Sequence, residues 1–182
     1  MSIKTSVKAK LNKLFYMNIK KMSLEEYKQY VWKKQGMNIG ENVHIYSDII
    51  SKEPYMISIG SNTTISGDVT LITHDNSISK YLPQYTDRFG KISIGENCFI
   101  GMRSIILPGV TLADNTIVGA GTVVTKSITQ SGCVLGGDPA RVIGKIEDLK
   151  KNDLKRGYNI RNLSLEEKRI FLLENPERFI TR

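Results

Sequence analysis

Two cysteines, two histidines and one tryptophan are all that the 182 residues contain of those types, and aromatics reach only 8%. A single pair of cysteines, Cys98 and Cys133, in a chain this long is no disulfide scaffold. It implies reduced thiols and a cytoplasmic setting. A zinc lyase would need about three histidine ligands. His44 and His74 alone cannot supply them, so no metal is expected. No apolar run approaches the ~20 residues of a membrane span. The lysine-bearing first segment lacks an unbroken apolar stretch and a small-residue cleavage site, so no secretory signal is expected. Neither a G-x-x-x-x-G-K run followed by Ser or Thr nor a G-x-G-x-x-G run occurs, which excludes the P-loop and the dinucleotide fingerprint. Otherwise the composition is that of a globular protein, with 15 glycines and 5 prolines. The length fits one domain with short appendages.

The formal net charge of +8 is unevenly spread. Residues 1–35 hold nine lysines against Glu25 and Glu26, a surplus of seven. Residues 36–144 carry a net charge of −2, and residues 145–182 carry +3. A nucleic-acid binder would place its basic face on the folded body. Here the body is nearly neutral, and no nucleic-acid partner is expected.

What the sequence has is a repeat. Over residues 92–129 a bulky aliphatic recurs at every sixth position: Ile94, Ile100, Ile106, Leu112, Val118 and Val124. Two residues before each stands Ile92, Cys98, Ser104, Val110, Thr116 or Thr122. Upstream the same phase gives Ile39, Ile45, Ile59, Ile65 and Leu71, with two surplus residues between Ile45 and Ile59. Six is not a helical period, but it is divisible by two and suits short strands with alternating faces. Asn42, Asn62, Asn97 and Asn115 fall where corners need positive φ. Three such strands make one coil, and stacked coils bury the aliphatic ladder. The pattern therefore predicts an all-β solenoid, a parallel β-helix of hexapeptide repeats.

From Leu71 to Ile94 the repeat is interrupted by 17 surplus residues, directly after Thr73-His74-Asp75. A long loop in a regular scaffold is usually functional, and Tyr81, Tyr85 and Phe89 would let this one pack on a ligand or neighbour. The ends read as helical. Ser23-Leu24-Glu25-Glu26 and Ser164-Leu165-Glu166-Glu167 are capping boxes. Residues 3–16 place Ile3, Val7, Leu11, Leu14 and Phe15 on one face, with Lys4, Lys8, Lys10 and Lys13 largely off it. This arm either caps the open end of the solenoid or contacts an anionic membrane surface. The organisation is a basic helical arm over 1–36, a repeat domain over 37–146 with the loop 75–91 inserted, and a helical extension over 147–182.

These motifs resemble the hexapeptide-repeat (left-handed β-helix) acyltransferases. The likeness is to the acetyl-CoA-dependent branch that includes galactoside and maltose acetyltransferases and the O-acetyltransferases of capsular and lipopolysaccharide sugars. It spans about residues 38–146. Its carriers are Ile39-Gly40-Glu41-Asn42-Val43-His44-Ile45, Ile72-Thr73-His74-Asp75 and Ile94-Gly95-Glu96-Asn97-Cys98-Phe99-Ile100-Gly101. Leu107-Pro108-Gly109-Val110-Thr111, Val118-Gly119-Ala120-Gly121-Thr122-Val123-Val124-Thr125-Lys126 and Gly136-Gly137-Asp138-Pro139-Ala140-Arg141-Val142-Ile143 complete the set. The resemblance implies left-handed winding, a homotrimer with sites between subunits, and acetyl-CoA as co-substrate.

It also implies site residues. His74 stands at the junction where the family keeps its catalytic histidine, and free imidazole, titrating near ~6.5, is suited to take a proton from an attacking alcohol. His44, inside a regular coil, reads as an outer-face side chain. Asp75 adjoins His74 in sequence but need not face it. The backbone N–H of Met102 matches the family's oxyanion donor. Gly101, Gly119 and Ala120 belong to the coenzyme path, where small residues let the backbone approach the pantetheine arm. Thr125, Lys126 and Arg141 match positions beside the nucleotide phosphates. Phe99 stands where the sugar acetyltransferases often carry Trp.

The expected activity is transfer of acetyl from acetyl-CoA to a sugar hydroxyl in surface polysaccharide or glycolipid biosynthesis, by direct attack and without a cysteinyl intermediate. N-acetylation of an amino sugar nucleotide is the alternative, and a non-catalytic β-helix used for assembly is a third reading. The expected location is the cytoplasm, with the N-terminal arm offering peripheral contact at the inner face of the membrane.

Overall fold

The computed structural model describes residues 3–18 and 21–180, with side chains described from Lys10 onward. Ile3, Lys4, Val7 and Lys8 of the expected amphipathic face therefore lie outside the described side chains. Helices α1 (Ile3–Asn18) and α2 (Leu24–Lys34) open the chain, and α3 (Ile146–Asp153) and α4 (Leu165–Glu174) close it. Between them run β1 (Asn38–Ile39), β2 (His44–Ile45), β3 (Ile57–Ile59), β4 (Thr64–Ile65), β5 (Thr70–Leu71), β6 (His74–Asp75), β7 (Arg88–Phe89) and β8 (Ile92–Ile94). Next come β9 (Phe99–Ile100), β10 (Ile105–Ile106), β11 (Thr111–Leu112), β12 (Ile117–Val118), β13 (Val123–Val124), β14 (Cys133–Gly136) and β15 (Arg141–Lys145).

Three sheets share these strands apart from β6 and β7, which pair with each other. The first holds β1, β3, β8 and β11, the second β2, β4, β9, β12, β14 and β15, and the third β5, β10 and β13. From β8 to β13 the chain visits the first, second and third sheets in rotation. Within each, the strands pair in parallel: Ile94 opposite Leu112, Ile100 opposite Val118, and Ile106 opposite Val124. Each partner is eighteen residues on, three six-residue steps.

The six-residue ladder is the core. Ile94, Ile100, Ile106, Leu112, Val118 and Val124 are all buried, as are Ile92, Cys98, Ser104, Val110, Thr116 and Thr122 two residues before them. Hydroxyls are tolerated in this interior because each can satisfy a backbone group at a corner. Thr63 Oγ1 donates to Gly95 O at 2.9 Å, Ser104 Oγ to Gly119 O at 3.0 Å, and Thr116 Oγ1 to Ala113 O at 2.6 Å. Asn42, Asn62, Asn97 and Asn115 adopt φ of 51°, 59°, 54° and 57°, a conformation Asn accepts more readily than other residues with a side chain beyond Cβ. Their side chains also link coil to coil, Asn42 Nδ2 to Asn62 Oδ1 at 2.9 Å and Asn97 Nδ2 to Asn115 Oδ1 at 2.6 Å.

Helix α2 closes the first coil. Trp32 and Met37 join the buried apolar cluster. Gln29 Nε2 donates to Val43 O at 2.7 Å, and the Ile45 N–H donates to Glu25 Oε1 at 2.9 Å, so polar groups of the edge strand find partners on the helix. At the other end β15 turns back to pair antiparallel with β14. Both expected capping boxes are present, at Ser23 and Ser164.

The structure differs from the sequence reading in two places. The interruption after His74 begins as a ribbon, β6 paired antiparallel with β7, because the Gly90 N–H donates to Thr73 O at 2.9 Å and draws the returning strand back against the corner. The C-terminal segment holds two helices rather than one. Glu147 and Asp148 in the first turn of α3, with Lys150 and Lys151 in its last, complement the helix dipole.

Ile100, wholly buried between Ile65 and Val118 in the second sheet, tests the ladder. Ile100→Ala is expected to cost about 2–5 kcal/mol in denaturant unfolding, because the rigid coil cannot collapse into the space left.

Candidate active site

The first coil is two residues longer than the regular eighteen-residue coil. Ile39 pairs with Ile59 and Ile45 with Ile65, twenty residues on rather than eighteen. The additional chain between β2 and β3 buries Ile49, exposes Ile50 and ends in a 3-10 turn over Pro54–Met56. It also carries Glu53 to the corner occupied one coil later by Thr73 and His74. Thr73 Oγ1 donates to Glu53 Oε2 at 2.8 Å, and His74 Nδ1 lies 2.9 Å from the same oxygen. Ser51 Oγ, 3.0 Å from Thr73 Oγ1, also accepts the Glu53 N–H at 3.1 Å.

The Glu53 side chain is 12% exposed and that of His74 is 35% exposed, so the carboxylate is sheltered while the imidazole meets solvent. The Thr73 hydroxyl, followed by the hydrogen bond and charge of His74, holds the Glu53 carboxyl below its ordinary 4.5, against the opposing effect of burial. An ionised Glu53 accepts a proton-bearing Nδ1, which leaves Nε2 with a free lone pair. That is the arrangement a general base requires.

His74 opens on a groove of about 600 Å³, whose lining includes Ile72, Asn76, Phe89, Pro108 and Thr125. Phe89 stands opposite His74 across the ribbon, its ring centroid 5.9 Å from the imidazole, and remains 57% exposed. Gly90 lets the ribbon sit this close, since a Cβ there would lie 2.2 Å from the Gly109 nitrogen. Asp75 does not orient His74. It accepts from the Ser77 N–H at 2.8 Å and from Arg88 Nε at 2.9 Å, clamping the base of the ribbon.

The other expected site residues fall into separate places. Thr125 shares the groove with His74, and exposed Lys126 follows it. Gly101, Met102, Gly119 and Ala120 stack at a different corner, between the second and third sheets, where the Gly121 N–H donates to Met102 O at 2.8 Å and the Gly101 N–H to Val118 O at 2.8 Å. Gly101 is needed there for packing, because a Cβ would lie 2.6 Å from the Ala120 nitrogen. Arg141 opens β15, and its Nη1 contacts the carbonyls of Pro139 at 3.3 Å and Ala140 at 2.9 Å. A single chain therefore brings His74 and Thr125 together but leaves the Met102 corner apart. His44 is exposed on β2, with Nδ1 3.4 Å from Glu25 Oε1. Cys98 and Cys133 are free and buried, and burial pushes the Cys98 thiol up, away from the thiolate form. Among the described residues no group of His, Cys, Asp and Glu gathers as a metal site would require.

Glu53 is the residue that sequence reasoning missed. The signal was the twenty-residue spacing itself, since Glu53 lies that far before Thr73 and a stacked coil places it directly beneath.

The comparisons agree with this architecture. Residues 91–126 match the family described as hexapeptide repeat of succinyl-transferase. The chain is 37% identical over 166 residues to Protein CapG of Staphylococcus aureus, covering 88% of this chain and 94% of that protein. It is 33% identical over 126 residues to galactoside O-acetyltransferase of Escherichia coli (strain K12), covering 69% of this chain and 62% of that one. A solved structure of galactoside acetyltransferase in complex with coenzyme A superposes with a TM-score of 0.57 at 26% identity, covering 87% of this chain and 86% of the other.

The ribbon clamp gives a pH prediction. The Ser77 N–H and then the Arg88 guanidinium lower the Asp75 carboxyl from 3.8 to about 2. A carboxyl depressed on folding contributes stability above its unfolded value and loses it as pH falls through the folded one. The clamp should therefore be complete above 3.8 and lost towards about 2. Carboxyl-carbon NMR should find that titration for Asp75, and Arg88→Ala should raise it only part of the way, the Ser77 N–H remaining.

Proposed function

The chain belongs to the hexapeptide-repeat acyltransferase family, and on that footing we propose that it is an acetyl-CoA-dependent O-acetyltransferase acting on a sugar hydroxyl in surface polysaccharide or glycolipid biosynthesis. The observation that carries the reading is the His74–Glu53 pair, 2.9 Å apart, opening on a groove walled by an exposed aromatic ring.

In this reading Glu53 keeps the proton on Nδ1, and Nε2 accepts the proton of the acceptor hydroxyl as its oxygen attacks the thioester carbonyl. The carbon–sulfur bond then breaks, the acetyl group stays on the acceptor oxygen, and the imidazolium returns its proton to the departing thiolate. The backbone N–H of Met102 faces the developing oxyanion, a contact worth ~3 kcal/mol in the barrier when prealigned. The exposed face of Phe89 receives the apolar face of the sugar ring. The residues fit coenzyme A. Gly101 keeps the Met102 corner slim and Ala120 is exposed beside it. Lys126 has no ion-pair partner among the described residues, and with Thr125 and Arg141 it is available to the phosphates. Direct attack suits a groove without a cysteine in its lining.

We read the three rotating sheets as a left-handed β-helix that assembles as a trimer, in which the Met102 corner of one subunit faces the His74 groove of the next. Support comes from the separation of these two corners within one protomer and from the likeness to galactoside acetyltransferase. The reaction belongs in the cytoplasm, with peripheral contact at the inner membrane face as the route to lipid-borne glycans. No described helix is long and apolar enough to cross a membrane.

The test is release of free thiol from acetyl-CoA across a panel of methyl glycosides, nucleotide sugars and amino sugars, with mass spectrometry locating the added acetyl group on oxygen or nitrogen. An ester product is expected; an amide product, or no transfer to any member, overturns the reading. His74→Ala should lower kcat by about 10²–10⁴-fold, and Glu53→Gln by about 10–100-fold with acceptor KM little changed. Analytical ultracentrifugation should give a trimer mass. Mixed trimers of His74→Ala and Met102→Pro subunits should regain part of the activity that each variant lacks alone.

A further inference from the structure

The N-terminal arm carries an apolar face that no described part of the chain covers. Helix α2, not α1, closes the first coil, through Trp32, Gln29 and Glu25. Helix α1 rides on α2 through Tyr16, whose ring centroid lies 4.7 Å from that of Tyr30 and 5.8 Å from that of Tyr27, with the hydroxyls of Tyr16 and Tyr30 2.8 Å apart. That contact fixes which side of the helix faces inward. Leu11, Leu14 and Phe15, at i, i+3 and i+4, form a stripe on another side and stay 61%, 57% and 45% exposed. Capping, the structural role expected for this helix, does not account for them.

The charge around the stripe identifies what covers it. The first 24 residues hold six lysines and no Asp or Glu. Lys10, Lys13 and Lys21 are exposed on and just after the helix. The first acidic residues in sequence are already committed: Glu26 closes the Ser23 capping box, and Glu25 holds the Ile45 N–H. A second copy of the arm would set six lysines against six. Nucleic acid would satisfy the lysines and leave two leucines and a phenylalanine in water. An anionic bilayer surface satisfies both, with apolar side chains at the acyl boundary and ammonium groups among the headgroups.

We infer that α1 is a peripheral membrane anchor, in which Leu11, Leu14 and Phe15 seat in the headgroup–acyl boundary of an anionic leaflet while Lys10, Lys13 and Lys21 meet its phosphates. This gives residues and a lipid class to the location proposed above. It rests on the arm's surface alone and stands or falls separately from the acetyl-transfer chemistry.

The test is flotation of the full-length protein with phosphatidylcholine vesicles, with and without phosphatidylglycerol. Binding to the phosphatidylglycerol vesicles should be tighter by about tenfold or more and should weaken with salt. Leu11→Glu combined with Phe15→Glu should lower that binding by about tenfold or more while leaving oligomer mass and thiol release in solution as in the parent. Lys10→Glu combined with Lys13→Glu, which keeps the apolar stripe, should do the same. Equal binding to both vesicle types, binding unaffected by either double variant, or a change of oligomer mass in the Leu11/Phe15 variant would overturn the inference, the last by showing that the stripe covers a second copy.

Discussion

Each coil must deliver one aliphatic side chain per face into an interior that its neighbours share, with its backbone hydrogen bonds running to the coils on either side. Ile65, Ile100 and Val118 illustrate the constraint: they lie in register across three coils and all are buried. A residue gained or lost within a strand would turn its inward side chains out. Length can therefore change only at corners, and the two lengthenings in this chain occur there. The first coil is longer by two residues before β3, and the long ribbon leaves after Thr73. These two departures from the repeat make the site, one bringing Glu53 under His74 and the other bringing Phe89 beside it.

Rigidity and reactivity divide along the same line. The strands hold Thr73 in a buried position, so its hydroxyl and that of Ser51 fix the Glu53 carboxylate before any substrate arrives. An oriented carboxylate below a half-exposed imidazole sets the tautomer without a conformational change. Gly101, Met102, Gly119 and Ala120 sit on another corner of the same coils, and the proposed trimer is what would bring that corner to a His74 groove.

Much of this was legible in the sequence. The six-residue period named the inward residues from Ile92 to Val124, including the small and hydroxyl-bearing ones, because a shared interior imposes itself on every repeat. The asparagine corners were legible for the same reason. His74 stood out because it marks the point where the repeat stops. Glu53 did not, since its role depends on stacking across a coil of unusual length, and a Glu-Pro pair in an apparent surplus looks like filler. Asp75, adjacent to His74 but set aside as a neighbour that need not face it, does turn elsewhere: its carboxylate accepts from Arg88. The two-helix C-terminal segment was missed because α3 is held by charge order at its ends and lacks a side-chain N-cap.

The seat of the ribbon has a consequence for how such a molecule diversifies. Gly90 lies flush against Gly109, and the pairs His74–Phe89 and Asp75–Arg88 fix both strands at their root. The tip, with Tyr81 and Tyr85 exposed, is tied to the body through that root. Residues 76–87 thus project from a fixed root: a change of sequence or length there can leave His74, Glu53 and the coil beneath in place.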